Sequence, residues 1–231
     1  MGSAKAELDW HGSTLVRRVT GILRRTVDGP VVLVAAPGQS LPALGSAVEV
    51  VVDRQPGRGP LQGLADGLAA AGGRSPVAYV SSVDVPLLHP EFVRRVLACL
   101  ADDVDVAVPE VEGRVHPLAG AYRVSVRDAV RAQLSEGRLA LGALLERCRV
   151  RRLAATELPA LDSLTNLNSR EDYGRALALP APCVRVDGAA VGAWTLGEAA
   201  PGGGPVTLNG EPVEFDPELP LVAGDVIQPR A

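Results

Sequence analysis

Short apolar blocks recur along the first half of this chain, each separated from the next by a stretch with helical spacing. Val31–Ala35, Val48–Val52, 77–82 and 104–109 are too short for helices and apolar on both faces, the mark of strands covered on two sides. Between them, Ser13 or Thr14 caps a helix over 13–25 with Leu15, Val19, Ile22 and Leu23 on one stripe. Further helices are expected over 61–71 and 90–100, the latter opened by Pro90. This alternation dictates a three-layer α/β domain with a mostly parallel sheet over residues 1–180. In such sheets, ligands collect beyond the carboxyl ends of the strands, so the loops after Val52, Ser82 and Pro109 are where chemistry is expected.

Composition narrows the class. With 47% apolar and 22% charged residues over 231 positions, the chain can bury a full core. Its apolar runs fall far short of the ~20 residues a membrane span needs. The N-terminus has no basic segment followed by an apolar one, so neither a membrane partner nor a secretory signal is expected. A net charge of −4, with arginines scattered over several helices, argues against a nucleic-acid partner. Cys99, Cys148 and Cys183 lack the close spacing of zinc or disulfide frameworks and read as small hydrophobes of a reducing cytoplasm. Of the 23 basic residues, Lys5 is the single lysine. In a chain that uses arginine wherever either cation serves, it is a candidate point charge for a phosphate in a tight loop; the alternative is a solvated surface side chain.

The loop after Val52 runs Asp53-Arg54-Gln55-Pro56-Gly57-Arg58-Gly59-Pro60-Leu61-Gln62-Gly63. Its glycines and prolines define a tight path on which backbone amides approach a guest, and the helix that follows offers its positive end, so the guest is a phosphate or a sugar. Asp53, at the strand end, either orients a ribose or caps that helix. In Ser81-Ser82-Val83-Asp84-Val85-Pro86 a carboxylate ends an apolar strand; its hard oxygen suits magnesium, with helix capping the alternative. His116 precedes Pro117 and reads as a turn histidine before a base, as do His11 and His89. Asn166 and Asn168 run into a Ser169-x-x-Asp172 box that starts a helix, placing two neutral amides at a strand-to-helix junction.

Asp53-x-x-Pro56-Gly57-x-Gly59-Pro60-Leu61-x-Gly63, Asp84-x-Pro86, His116-Pro117-Leu118-x-Gly120-x-Tyr122 and Asn166-x-Asn168-Ser169-x-Glu171-Asp172 stand in a telling order and spacing. In both, the chain resembles the molybdenum cofactor guanylyltransferases over roughly residues 1–180. The resemblance implies a Rossmann-like nucleotidyltransferase domain that uses Mg2+ and takes GTP and molybdopterin as substrates, with other molybdenum cofactor proteins as possible partners. It implies catalytic roles for Lys5 and Asp84, nucleotide binding by Lys5, Asp53 and Asp84, and magnesium on Asp84. Asn166 and Asn168 would lie on the molybdopterin side, while Gly2, Gly59, Pro60, Gly63 and His116 would line the binding motifs. The implied reaction is in-line displacement at the α-phosphorus of GTP by an anionic phosphate, which needs no strong base. The family opens with a strand, Leu-Ala-Gly-Gly, and Arg-Met-Gly-x-x-Lys, of which Met1-Gly2-Ser3-Ala4-Lys5 matches the last part only. An N-terminal truncation is therefore expected, leaving the neighbours of a central strand without a partner. Val34 stands where the family can present an asparagine. A cytidylyltransferase of the same fold, or a non-catalytic relative that binds cofactor or protein partners, are the alternative readings.

After Pro180-Ala181-Pro182, residues 183–231 form a small β-rich appendage resembling a shortened β-grasp, the fold of small sulfur carriers. Asn209-Gly210 joins two strands and Gly224-Asp225 precedes the last. Working carriers end in Gly-Gly; with Gln228-Pro229-Arg230-Ala231 here, a structural or docking role is expected.

Overall fold

The computed structural model describes residues 5–45 and 47–230. In chain order its elements are β1 (Asp9–Trp10), β2 (Ser13–Thr14), α1 (Leu15–Arg24), β3 (Val31–Ala35), β4 (Val48–Val52), α2 (Pro60–Ala71), β5 (Val77–Ser81) and α3 (Pro90–Ala98). They continue with β6 (Val106–Val111), β7 (Arg114–Val115), β8 (Ala119–Arg123), α4 (Arg127–Ser135), α5 (Leu141–Leu145), β9 (Val150–Ala154) and α6 (Arg170–Leu177). The last are β10 (Cys183–Val186), β11 (Ala189–Gly192), α7 (Leu196–Ala199), β12 (Val206–Leu208), β13 (Glu211–Val213) and β14 (Val226–Pro229). No helix among the described residues is long and apolar enough to cross a membrane.

The chain packs into two compact units that do not follow one another in sequence. One gathers the described residues up to Ile22, Val83–Leu87 and everything from Thr165; the other holds Leu23–Ser82 and Leu88–Leu164.

In the second unit, β3 and β4 form a parallel pair, and β5-β8-β6-β7 form a ladder in which β9 also pairs with β6. Only β6 and β9 run parallel there; β5–β8, β6–β8 and β6–β7 are antiparallel. The sheets are thus mixed rather than mostly parallel, and the reason is local. After β6 the chain reverses at Glu112 and Gly113, both at positive φ, and returns along β7 to β8. A connection this short can only make antiparallel neighbours, since a parallel crossover needs a dozen residues or more. Among the described residues, β3 pairs only with β4 and β5 only with β8, so each keeps one edge without a ladder partner. α2 packs against β3, β4 and β5.

Strand alternation sorts the core of this unit. Val106 and Val108 of β6 and Tyr122 of β8 meet Leu61, Leu64 and Leu68 of α2, Val130 and Leu134 of α4, and Leu144. The parallel β6–β9 pair is pinned at its start by Asp105, whose carboxylate accepts bonds from the Arg149 amide (2.9 Å), Nε (3.0 Å) and Nη2 (2.7 Å). The Arg149 side chain, its amide and its charge hold the Asp105 carboxyl down at about 2. A depressed carboxylate stabilises the fold fully above its unfolded value near 4, and that contribution is lost as pH falls toward 2. Asp105→Asn is accordingly expected to lower the melting temperature at pH 7 and to flatten its fall between pH 4 and pH 2, as read by thermal melts; an unchanged acid limb would contradict the clamp.

In the first unit, Trp10 and Leu15 pack with Leu167, Ala176 and Trp194, joined by Leu87. Thr14 caps α1, its hydroxyl accepting the Arg17 amide at 3.4 Å. The C-terminal strands form a sheet ordered β11-β10-β14-β12-β13, with β10 and β14 parallel and the other neighbours antiparallel. Asn209 and Gly210, at φ 55° and 88°, make the turn between β12 and β13. The Asn209 side chain then ties β14 in, accepting the Val226 amide at 2.8 Å and donating to Asp225 at 2.9 Å.

Candidate functional site

Asp84 lies three residues beyond the end of β5 in a segment that packs with the first unit. It does not end the strand itself. Asp84 is 9% exposed, and the Asn166–Leu167 stretch bonds to it. The backbone carbonyl accepts the Leu167 amide at 2.9 Å, and Oδ1 accepts the Asn166 side-chain amide at 3.0 Å. A buried carboxylate is costly unless its oxygens are bonded. The Asn166 side-chain amide, a neutral donor, meets part of that need. Asp84 and Asn166, far apart in sequence, are therefore brought together.

Asn168 is exposed and one residue before the α6 cap. Its backbone amide donates to Asp172 Oδ2 at 3.2 Å, alongside the Ser169 amide at 2.9 Å, while Ser169 Oγ accepts the Asp172 amide at 3.0 Å. This is the capping box read from the sequence. The bond to the Ser169 side chain, then the Arg175 partner, draws the Asp172 carboxyl below its ordinary value. No strand leads into this junction: β9 ends at Ala154, and the 3-10 turns Ala155–Glu157 and Leu161–Leu164 intervene. Gly2 and the Lys5 side chain lie outside the described residues; the Lys5 backbone begins a 3-10 turn, Lys5–Glu7.

The glycine-rich loop belongs to the second unit. Asp53 neither caps α2 nor stands alone: its amide donates to the Ala35 carbonyl at 2.7 Å, extending the β3–β4 ladder, and its Oδ1 accepts the Gln55 amide at 2.9 Å. α2 starts at Gly59, φ 70°, with Pro60 in the first turn and no side-chain cap. Pro60 brings no N–H and the Gln62 amide donates to the Gly59 carbonyl at 3.2 Å, while the positive end of the helix dipole suits an anion. Composition alone did not reveal what holds the loop. Asp66, with a side chain 5% exposed, accepts the Arg54 amide and Nε at 3.0 Å each and the Gln62 side-chain amide at 3.0 Å. An aspartate four residues after Gln62 in an otherwise apolar helix was the available signal. Arg58 reaches Gln55 at 2.6 Å and the Leu134 carbonyl.

Gly63 sits inside α2, and outside its own helix backbone no described atom stands within 4 Å of where a Cβ would be. Replacing a helical glycine by alanine in open space gains about 0.5–1 kcal/mol. Gly63→Ala should therefore raise the melting temperature by about 2 °C; a lower one would contradict the open space.

His116 is half-buried in the turn between β7 and β8, donating its amide to Pro109 (2.9 Å) and accepting that of Ala119 (3.1 Å). Burial, then nearby Arg114, lowers its pKa, so the ring is neutral at pH 7. His89 caps α3, its Nδ1 accepting the Glu91 amide at 3.2 Å. His11 stacks on Trp194 with centroids 4.5 Å apart. Among the described residues no three potential metal ligands cluster. A single hard carboxylate such as Asp84 fits magnesium, which takes few protein ligands and completes its shell with water and phosphate oxygens.

The fold is shared with solved structures. Molybdopterin-guanine dinucleotide biosynthesis protein A from Archaeoglobus fulgidus superimposes with a TM-score of 0.60 at 22% identity, covering 76% of this chain and 89% of that one. The 2-C-methyl-D-erythritol 4-phosphate cytidylyltransferase of Thermus thermophilus does so with a TM-score of 0.60 at 22% identity, covering 75% and 92%. In sequence, a molybdenum cofactor guanylyltransferase of Desulfosudis oleivorans is 29% identical over 181 residues, 77% of this chain and 87% of the relative. A probable molybdenum cofactor guanylyltransferase of Mycobacterium avium is 33% identical over 181 residues, 77% and 88%. One from Mycobacterium tuberculosis is 36% identical over 173 residues, 73% and 83%. Residues 1–153 match the MobA-like NTP transferase domain, and with relatives of this similarity the chain belongs to that family.

Proposed function

We propose that the chain transfers GMP from GTP to molybdopterin with release of pyrophosphate, as a molybdenum cofactor guanylyltransferase. The observation that carries this reading is the 33% identity to the Mycobacterium avium relative across 77% of the chain. A pre-built carboxylate on the loop after β5 supports it. The phosphate of molybdopterin is an anion near neutral pH, so the protein's task is to align it with the α-phosphorus and offset charge, not to remove a proton. Asp84 would hold Mg2+, which supplies neutralisation of charge on the phosphates and departing pyrophosphate. Asn166 donates a side-chain bond to that carboxylate. Asp53, Gly59, Pro60 and Gly63 would present the nucleotide to the positive end of α2, Lys5 and Gly2 would meet its phosphates, His116 would line the binding motif without acting as a base, and Asn168 would face molybdopterin. A manganese complex of a Mycobacterium tuberculosis protein shares the fold at TM-score 0.53 and 19% identity. All three cysteines are free, which fits a cytoplasmic setting.

Pyrophosphate release with molybdopterin and either GTP or CTP tests the nucleotide. At least a tenfold preference for GTP is expected, and a preference for CTP would place the chain with the cytidylyltransferases, whose fold it shares.

A further inference from the structure

Arg18 is 3% exposed on α1, a position where a guanidinium is normally at the surface. Its Nε donates to the carbonyl of Pro86, two residues after Asp84. Its Nη2 donates to the Leu221 carbonyl at 3.2 Å and Nη1 to the Trp194 carbonyl at 3.4 Å. The guanidinium also lies over the Trp194 ring, 4.9 Å from its centroid, and 6.0 Å from that of Trp10. One planar fork thus ties the Asp84 segment to two segments of the C-terminal part, which the Leu221 amide also joins by donating to the Trp194 carbonyl at 2.9 Å.

The rest of α1 binds the same C-terminal stretch. Arg17 pairs with Asp216 at 2.8 Å and Glu218 at 3.1 Å, and Ser13 donates to Glu218 at 3.0 Å. A Cβ at Gly21 would stand 2.8 Å from the Pro220 ring, so the helix backbone comes right against it. Leu87 shares a buried cluster with Trp10, Trp194 and Leu167, and Leu167 is the residue whose amide holds the Asp84 carbonyl.

We infer that the C-terminal part positions the Asp84 carboxylate, with Arg18 as the positioning residue that couples them. The inference rests on the proposed metal role of Asp84. A buried fork bound to three carbonyls has no substitute of equal geometry: lysine keeps the charge but reaches as a single point, and methionine leaves the carbonyls unbonded.

Two readouts on full-length Arg18→Met and Arg18→Lys separate the possibilities. Amide exchange at Leu167 reports the clamp without requiring activity. Magnesium dependence of guanylyl transfer reports its consequence. Arg18→Met is expected to lose at least tenfold of the protection at Leu167 while amides of β6 change less than twofold. The magnesium concentration for half-maximal activity should rise about tenfold with KM for molybdopterin little changed. Arg18→Lys should be intermediate, and it carries the comparison where the apolar variant does not fold. Unchanged protection at Leu167, or protection lost equally in β6, overturns the inference. Local loss at Leu167 with unaltered magnesium dependence supports the clamp and overturns the metal role of Asp84 instead.

Discussion

Asp84→Asn is expected to lower guanylyl transfer by about 10²–10³-fold while the protein still folds. The substitution keeps the shape and an oxygen that can accept the Asn166 amide, now bonded to Asp84 at 3.0 Å. The backbone bond from Leu167 is untouched. What disappears is a carboxylate in a site 9% exposed, where electrostatic interactions are screened far less than at the surface. Losing one preorganised electrostatic contact to a transition state costs about 3–4 kcal/mol, which is the stated rate factor. The measurement is initial rate at saturating substrates over a magnesium titration, with the melting temperature recorded beside it. Loss of activity with an unchanged melt supports the assignment; near wild-type activity would remove Asp84 from the machinery.

Gly120→Ala is expected to cost about 2 kcal/mol and to lower the melting temperature by about 4–8 °C. Gly120 pairs with Val80, one pair in from the end of the β5–β8 ladder, on the face where Tyr122 packs. A Cβ there would stand 2.7 Å from Val108 Cγ1, 3.0 Å from the Ala107 carbonyl oxygen and 3.1 Å from the Tyr122 ring. Val108 and Tyr122 are both fully buried, and the carbonyl is part of β6, so little can yield. Tyr122 is itself fixed by its hydroxyl, which donates to the Pro117 carbonyl at 2.7 Å. The His116 to Tyr122 motif thus has a packing explanation: its glycine admits a neighbouring strand and its tyrosine closes the turn. Wild-type stability in the variant would show that β8 and β6 separate more easily than their packing implies.

The strands and helices of the first half were legible because each carries its own local signal. Val31–Ala35 and Val48–Val52 form over the residues their apolar runs mark, and Pro90 opens α3. The antiparallel course of β8 was not legible, since Ala119 to Arg123 is a mixture of small and polar residues without alternation. The partners of the Asp84 segment were less visible still. Asp84-x-Pro86 shows a carboxylate after a strand, but nothing in it shows that Asn166, Leu167 and Arg18 come from distant parts of the chain to hold it. Such contacts depend on tertiary packing, which no local spacing encodes. The same holds for Asp66, whose role in fixing the glycine-rich loop depends on α2 turning its carboxylate back toward Arg54.

The most direct test of the guanylyl-transfer reading uses GTP labelled at its α-phosphate, molybdopterin and magnesium. The account predicts that the label moves into a molybdopterin dinucleotide as an equimolar amount of pyrophosphate appears, and that Asp84→Asn suppresses both together. Label that stays in GTP, or that appears as free GMP with no dinucleotide formed, would contradict it.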